Sequence, residues 1–208
     1  MSNNRKPGET GRIPSAGKVR FGLDRVDPSL LEIDQHGLQY ESSRLTARYH
    51  RWVLRRCVAL ADLAPGMSVL DYGCGRGLLR RWLPAGVRYS GYDIVPHLTE
   101  IEEPRSGRWD CIFAIQVMMY IDEGGLREWV EAFRQRAPQL VVALPSRNFV
   151  KDRILDPLLG LSAERQRLVR SLPGEIYRQL ATGFTRTDFI NAAWMGEISR
   201  WRAADRGA

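Results

Sequence analysis

Five residues set out the chemistry this chain could do: Asp71, Gly73, Gly75, Gly77 and Asp93. Asp71 ends an apolar β-type run in SVLDYGCGRG, 68–77, and three glycines follow at every second position, with Cys74 between the first two. A run of helix formers, LLRRWL, comes next, so the spacing predicts strand, tight turn, helix. Glycine suits such a turn because it tolerates positive φ and lets backbone approach a ligand closely. A dinucleotide fingerprint, G-x-G-x-x-G, would need glycine where Leu78 stands. A P-loop would need glycine and lysine where Leu78 and Leu79 stand. An acid at the strand end repels a pyrophosphate and favours a ligand with positive charge and amine donors. A second β-type stretch, VRYSGYDIV at 87–95, carries Asp93, 93 − 73 = 20 positions after Gly73. That is the spacing of an acid that accepts hydrogen bonds from ribose hydroxyls.

The acid-x-Gly-x-Gly-x-Gly segment resembles the first motif of class I S-adenosylmethionine-dependent methyltransferases. Their cofactor has a sulfonium, an α-amine and no phosphate. The alternative is a structural glycine turn in another α/β protein, which the second acid makes weaker. RWDCIFAIQVMMYID, 108–122, resembles the fourth-strand motif of the same family, its apolar run Cys111 to Val117 fitting a central buried strand. QLVVALPS, 139–146, reads as a fifth strand, and the tail 180–203 resembles the family's closing antiparallel hairpin, with Gly183 as the left-handed stop of the preceding helix. The resemblance covers roughly residues 42 to 203. It implies a Rossmann-like α/β sheet, mostly parallel, with a C-terminal hairpin and helical lid elements. It also implies S-adenosylmethionine as cofactor and S-adenosylhomocysteine as product. The implied cofactor contacts are Asp71, Gly73, Cys74, Gly75, Gly77, Asp93, Ile94, Gln116 and Val117. Met118 and Met119 read as core filler.

One departure from the family stands out. Only 16 residues separate Asp93 from Asp110, and Pro96, Pro104 and Gly107 punctuate them. The third strand is therefore short or missing, at most a stub near Leu98 to Glu102. Glu100, Glu102 and Glu103 are equal candidates for the adenine side.

The elements that must position these groups follow. A helix is expected over about Ser42 to Leu63, with Leu45, Tyr49, Trp52, Val53, Cys57 and Leu60 as its apolar stripe and Pro65-Gly66 beyond its end. By resemblance this helix lies over the cofactor mouth. Tyr40, Arg44, Tyr49 and His50 are the groups it offers, and Arg44 is the best carboxylate partner because guanidinium binds bidentately. Tyr49 fits simple packing equally well. A helical insertion over 151–182, broken at Pro173-Gly174, would wall the acceptor pocket with the 20–50 segment. Arg147 and Asn148, past strand five, are the expected substrate contacts. His50 and Tyr120 are the candidate proton acceptors. Methyl transfer from a sulfonium needs mainly alignment, worth up to about 7–11 kcal/mol, and a base only for a high-pKa acceptor proton.

The 208 residues fit one domain over 21–208, with 21–66 as an N-terminal lid and 1–20 as a flexible basic tail. The net charge of +7 comes almost wholly from arginine, since lysine occurs only at 6, 18 and 151. The arginines interleave with apolar positions as solvated helix faces do, so a small-molecule acceptor is favoured over nucleic acid. Cys57, Cys74 and Cys111 show no paired or metal spacing, and no metal is expected. With no membrane span and no secretory signal in view, the expected compartment is the cytoplasm. The expected activity is methyl transfer to O, N or C of a small molecule, in a setting such as specialised-metabolite biosynthesis. Alternatives are an RNA or tRNA methyltransferase, and a non-methylating enzyme or pseudoenzyme on the same fold.

Overall fold

The computed structural model describes residues 44–146, 170–191 and 195–204. Their backbone forms one six-stranded sheet. In chain order the strands are β1 (Ser68–Tyr72), β2 (Arg88–Tyr92), β3 (Cys111–Ile115), β4 (Gln139–Pro145), β5 (Phe184–Asn191) and β6 (Gly196–Ala203). Across the sheet the order is β2-β1-β3-β4-β6-β5. β1 pairs parallel with both β2 and β3, and β3 with β4. β6 runs antiparallel to β4 and to β5, which closes the sheet with a hairpin.

The central strands are apolar on both faces because both faces are covered. Val69, Phe113, Val141 and Ile198 point to one side, where helix α1 (Arg44–Ala61) packs with Val53, Leu54, Cys57 and Ala61. Leu70, Ile112, Leu140 and Val142 point to the other. There helix α2 (Glu123–Phe133) brings Leu126, Trp129, Val130 and Phe133, and helix α3 (Pro173–Leu180) brings Ile176 and Leu180. Of the expected α1 stripe, Val53 and Cys57 are buried and Tyr49, Trp52 and Leu60 flank them half-buried. Leu54 and Ala61 complete the buried face.

Several local expectations change. LLRRWL is no α-helix but a single 3-10 turn, Leu78–Trp82. Gly77, left-handed at φ 66, leads into it, and Leu83 is already extended ahead of Pro84. β1 runs one residue past Asp71, and β3 stops at Ile115, two residues early. It stops because Gln116 takes a left-handed φ of 57, which breaks the pleat. Gly183 is not a left-handed helix stop, since its φ is not positive. A Cβ there would sit 2.6 Å from Val130 Cγ1, so close packing on α2 is what requires glycine. Pro173 begins α3, the second of the two helices expected around Pro173-Gly174, as its missing N–H costs nothing in a first turn.

No third strand between β2 and β3 is present among the described residues. Instead the 98–101 segment lies along the free edge of β2. Glu100 N–H donates to the Gly91 carbonyl (2.9 Å), and Gly91 N–H donates to the Glu100 carboxylate (3.2 Å). A side chain thus takes an edge donor that a further strand would have satisfied. The expected tail over 1–20, residues 21–43 of the N-terminal lid, and the insertion from 151 to 169 lie outside the described residues.

Candidate functional site

β1 has β2 on one side and β3 on the other, so the chain reverses direction across the sheet at the C-terminal ends of β1 and β3. Open α/β sheets bind ligands in the crevice there. The glycine turn stands at that point. The N–H groups of Gly73 and Cys74 both donate to the Tyr92 carbonyl, at 2.8 and 3.0 Å, and lock the turn onto β2. Gly77 N–H closes it on the Cys74 carbonyl at 2.9 Å.

Gly73 and Gly75 are glycines for different reasons. Both have positive φ, 77 and 50. A Cβ on Gly73 would stand 2.4 Å from Val117 Cγ2, so the turn and the segment after β3 touch at this residue. A Cβ on Gly75 would meet nothing within 4 Å. The turn is therefore closed against β3 and open over Gly75.

Three carboxylates surround the turn. Asp93 Oδ2 accepts from Gly75 N–H at 2.8 Å, and Oδ1 from Val95 N–H at 3.0 Å. Asp93 thus ties the turn to the end of β2. A carboxylate has about four lone-pair sites, so accepting capacity for two hydroxyls remains. Asp71 is only 4 % exposed and accepts from the Tyr89 hydroxyl at 3.0 Å. Burial pushes its pKa up to about 7; the Tyr89 hydrogen bond opposes this, and Asp93 and Glu100 add to it. Glu100 pairs with Arg80, whose guanidinium lies 4.4 Å over the Tyr89 ring. Such a set favours a cationic ligand and disfavours a phosphate, and the one-turn 3-10 segment offers no helix dipole to offset that repulsion.

Tyr89 escapes the sequence reading, although a signal for it exists. In the parallel register Val69 opposes Tyr89 and Asp71 opposes Gly91, which puts Asp71 and Tyr89 on one face. Gly91 leaves the room: a Cβ there would be 3.0 Å from the Tyr89 hydroxyl and 2.9 Å from Cys74 Sγ. Cys74 Sγ reaches the Leu98 carbonyl at 3.5 Å, and burial pushes its thiol pKa up. It is a packing group in the turn rather than a thiolate. Among the three glutamates, Glu103 is tied to Arg105 at 2.8 Å and Glu102 is exposed, while Glu100 alone bonds to β2 beside the turn.

The remaining expected residues spread around this centre. Gln116 N–H donates to the Ala143 carbonyl at 2.8 Å, joining the ends of β3 and β4. Ile94 is half-buried against the α2 side of the core. Tyr49 stacks on Trp52, and its hydroxyl would be 3.2 Å from a Cβ on Gly196, at the C-terminal end of β4. Burial, then Cys57, raises the Tyr49 pKa to about 12, and burial raises that of Tyr120 to about 12. Both therefore keep their protons at neutral pH and can donate. Burial lowers the His50 pKa, which keeps its imidazole neutral near pH 7. The side chain of Arg44 lies outside the described residues, as do Arg147 and Asn148. Met118 and Met119 are buried in the core. Among the described residues no group of three or more histidines, cysteines or acids could hold a metal ion. Nor is any helix there long and apolar enough to cross a membrane.

Residues 40–192 match a family model described as "Methyltransferase domain". No curated protein sequence matches. Among solved structures, the chain resembles magnesium protoporphyrin IX methyltransferase from Synechocystis PCC 6803 with bound S-adenosylhomocysteine. The TM-score is 0.62 at 16% identity, covering 86% of this chain and 100% of that one. N-methyltransferase NodS from Bradyrhizobium japonicum WM9, also with S-adenosylhomocysteine, gives 0.59 at 14% identity, covering 85% and 98%. Human N-acetylserotonin methyltransferase with S-adenosylmethionine gives 0.57 at 16% identity, covering 88% and 60%.

Proposed function

This chain belongs to the methyltransferase-domain family and uses S-adenosylmethionine, and on that premise we propose that it methylates an O, N or C atom of a small molecule. The observation that carries the cofactor site is the convergence of Asp71, Asp93 and Glu100 on a turn that is open over Gly75. These residues fit the cofactor: Asp93 has acceptor capacity for ribose hydroxyls, and Asp71 supplies negative charge toward the ammonium end. The cofactor, when bound, supplies an activated methyl on a sulfonium that leaves as a neutral thioether.

What the protein does is mostly positioning. Asp93 holds the turn through Gly75 and presents its free lone pairs. Tyr89 orients the Asp71 carboxylate through its hydroxyl. Val117 packs on Gly73 and forms the floor on the β3 side. Alignment of this kind is worth up to about 7–11 kcal/mol. His50, neutral in its half-buried place on α1, is the group suited to accept a proton from an acceptor that must lose one. Tyr49 and Tyr120 serve as donors. Arg147 and Asn148 contact the acceptor from the segment that follows β4.

The small acceptor is supported by solved relatives of this fold named for porphyrin and N-acetylserotonin methylation. Two experiments test the reading. Calorimetry with S-adenosylhomocysteine and NAD should show binding of the first and none of the second. A mass-spectrometric screen of candidate acceptors with S-adenosylmethionine should then find a product 14 mass units heavier (about one methylene). Tight, steeply salt-dependent RNA binding with RNA as the methylated product would replace the small-acceptor reading.

A further inference from the structure

The opposite edge of the sheet carries a second concavity. It is a cleft of ≈ 510 Å³ where β1, β2, β3 and β4 begin, lined by Ser68, Arg88, Arg108, Asp110, Arg134 and Arg136 among others. The glycine turn lies beyond the far end of β1, whose five residues put about 13 Å between the two ends. The cleft is thus separate from the site described above.

Its charge is one-sided. Four arginines come from three places: the start of β2, the loop before β3, and the connection between α2 and β4. Trp109 N–H donates to the Arg136 carbonyl at 2.8 Å, which fixes the two loops against each other. Asp110 is the one acid in the lining, so its carboxylate offsets one of the four arginines; hydrogen bonds from Ser68, and then the nearby Arg88, hold its pKa down. Its Oδ2 accepts from both the backbone N–H and the hydroxyl of Ser68, at 2.7 and 2.8 Å. Arg134 pairs with Glu131 at 2.8 Å, yet its Nε is buried without a partner. Arg88, Arg108 and Arg136 form no salt bridge among the described residues. Several guanidinium groups around one small hollow repel each other unless an anion sits between them. Arginine forks match phosphate oxygens two at a time. The volume falls within the range of small-ligand pockets, and four arginines that converge on one hollow from three places match the several oxygens of a compact anion.

We propose that this cleft binds a small phosphate-bearing anion of pyrophosphate to nucleotide size, held by Arg88, Arg108, Arg134 and Arg136. The site does not depend on the methyl-transfer reading. Inorganic pyrophosphate titrated by calorimetry into the full chain at low salt is the test, with bulk transfer RNA as a second probe. Arg88→Glu/Arg108→Glu changes two exposed side chains, and Arg136→Gln is the milder variant. The expected result is pyrophosphate binding that falls at least tenfold in the double variant and severalfold in Arg136→Gln. S-adenosylhomocysteine affinity should stay unchanged in both, which also reports that they fold. No pyrophosphate binding at millimolar concentration, or equal binding by all three proteins, overturns the proposal. So does transfer RNA that binds more tightly than pyrophosphate and loses that binding in the same variants, since the cleft is then a nucleic-acid contact.

Discussion

Asp71 keeps its proton up to about pH 7 in the folded chain, against 3.8 for the free side chain. Folding therefore takes up a proton between those values, and the stability from this group is full below 3.8 and lost as pH rises through 7. Asp71→Asn should be more stable than the natural protein at pH 8 by thermal unfolding, with the advantage vanishing toward pH 4. Cofactor binding works in the other sense. A cationic ligand favours the charged carboxylate, so S-adenosylmethionine affinity should climb as pH rises toward 7, and Asp71→Asn should flatten that climb. Tyr89→Phe removes the hydrogen bond that opposes the raised pKa. Its affinity at pH 7 should fall about tenfold, from about 1.5–3 kcal/mol for a hydrogen bond to a charged group, and recover at higher pH. Recovery separates a positioning role for Tyr89 from a merely structural one. At Asp93 the expectation is simpler. Asp93→Ala should weaken S-adenosylhomocysteine binding tenfold or more on the same magnitude. An unchanged dissociation constant in the folded variant would remove Asp93 from the site.

The glycine turn allows two substitutions of similar chemistry to be told apart at the level of the element. Gly73→Ala places a Cβ 2.4 Å from Val117 at φ 77. Overpacking of about 1–3 kcal/mol adds to left-handed strain of about 1–2 kcal/mol, so the melting temperature should drop by many degrees. Gly75→Ala meets no atom within 4 Å and carries only the strain. It should unfold within a few degrees of the natural protein, yet bind S-adenosylhomocysteine much more weakly, because the new methyl fills the open side of the turn. Equal melting losses in the two variants would refute this division. Gly183→Ala, against Val130 at 2.6 Å, should behave like Gly73→Ala in stability while leaving cofactor affinity intact.

At the scale of the whole molecule, the two ends of the sheet differ in charge. Acids gather around the turn at one end and arginines around the cleft at the other. A small acceptor would be held by a local pocket, so kcat/KM for methyl transfer should change less than about twofold between 50 and 200 mM salt. A nucleic-acid acceptor engaging six or more phosphates would lose about 10³-fold or more over that range.

The sequence by itself determined the order of the described elements and the glycine turn. Strand periods, the Asp71 to Gly77 spacing and Asp93 are local patterns, and local patterns are written in consecutive residues. It also foretold a third strand short or missing, because two prolines and a glycine punctuate those 16 residues. It misjudged LLRRWL, where helix propensity lost to the extended backbone at Leu83 ahead of Pro84. It also gave Gly183 the wrong reason, since contact with Val130 depends on how α2 packs and not on neighbours in the chain. Tyr89 beside Asp71, Val117 on Gly73, and Glu100 along β2 became visible only in the folded sheet. So did the arginine cleft. Arg88, Arg108, Arg134 and Arg136 look like scattered surface charges along the chain. Parallel pairing brings the strand beginnings together, and the loops entering them carry those side chains to one place.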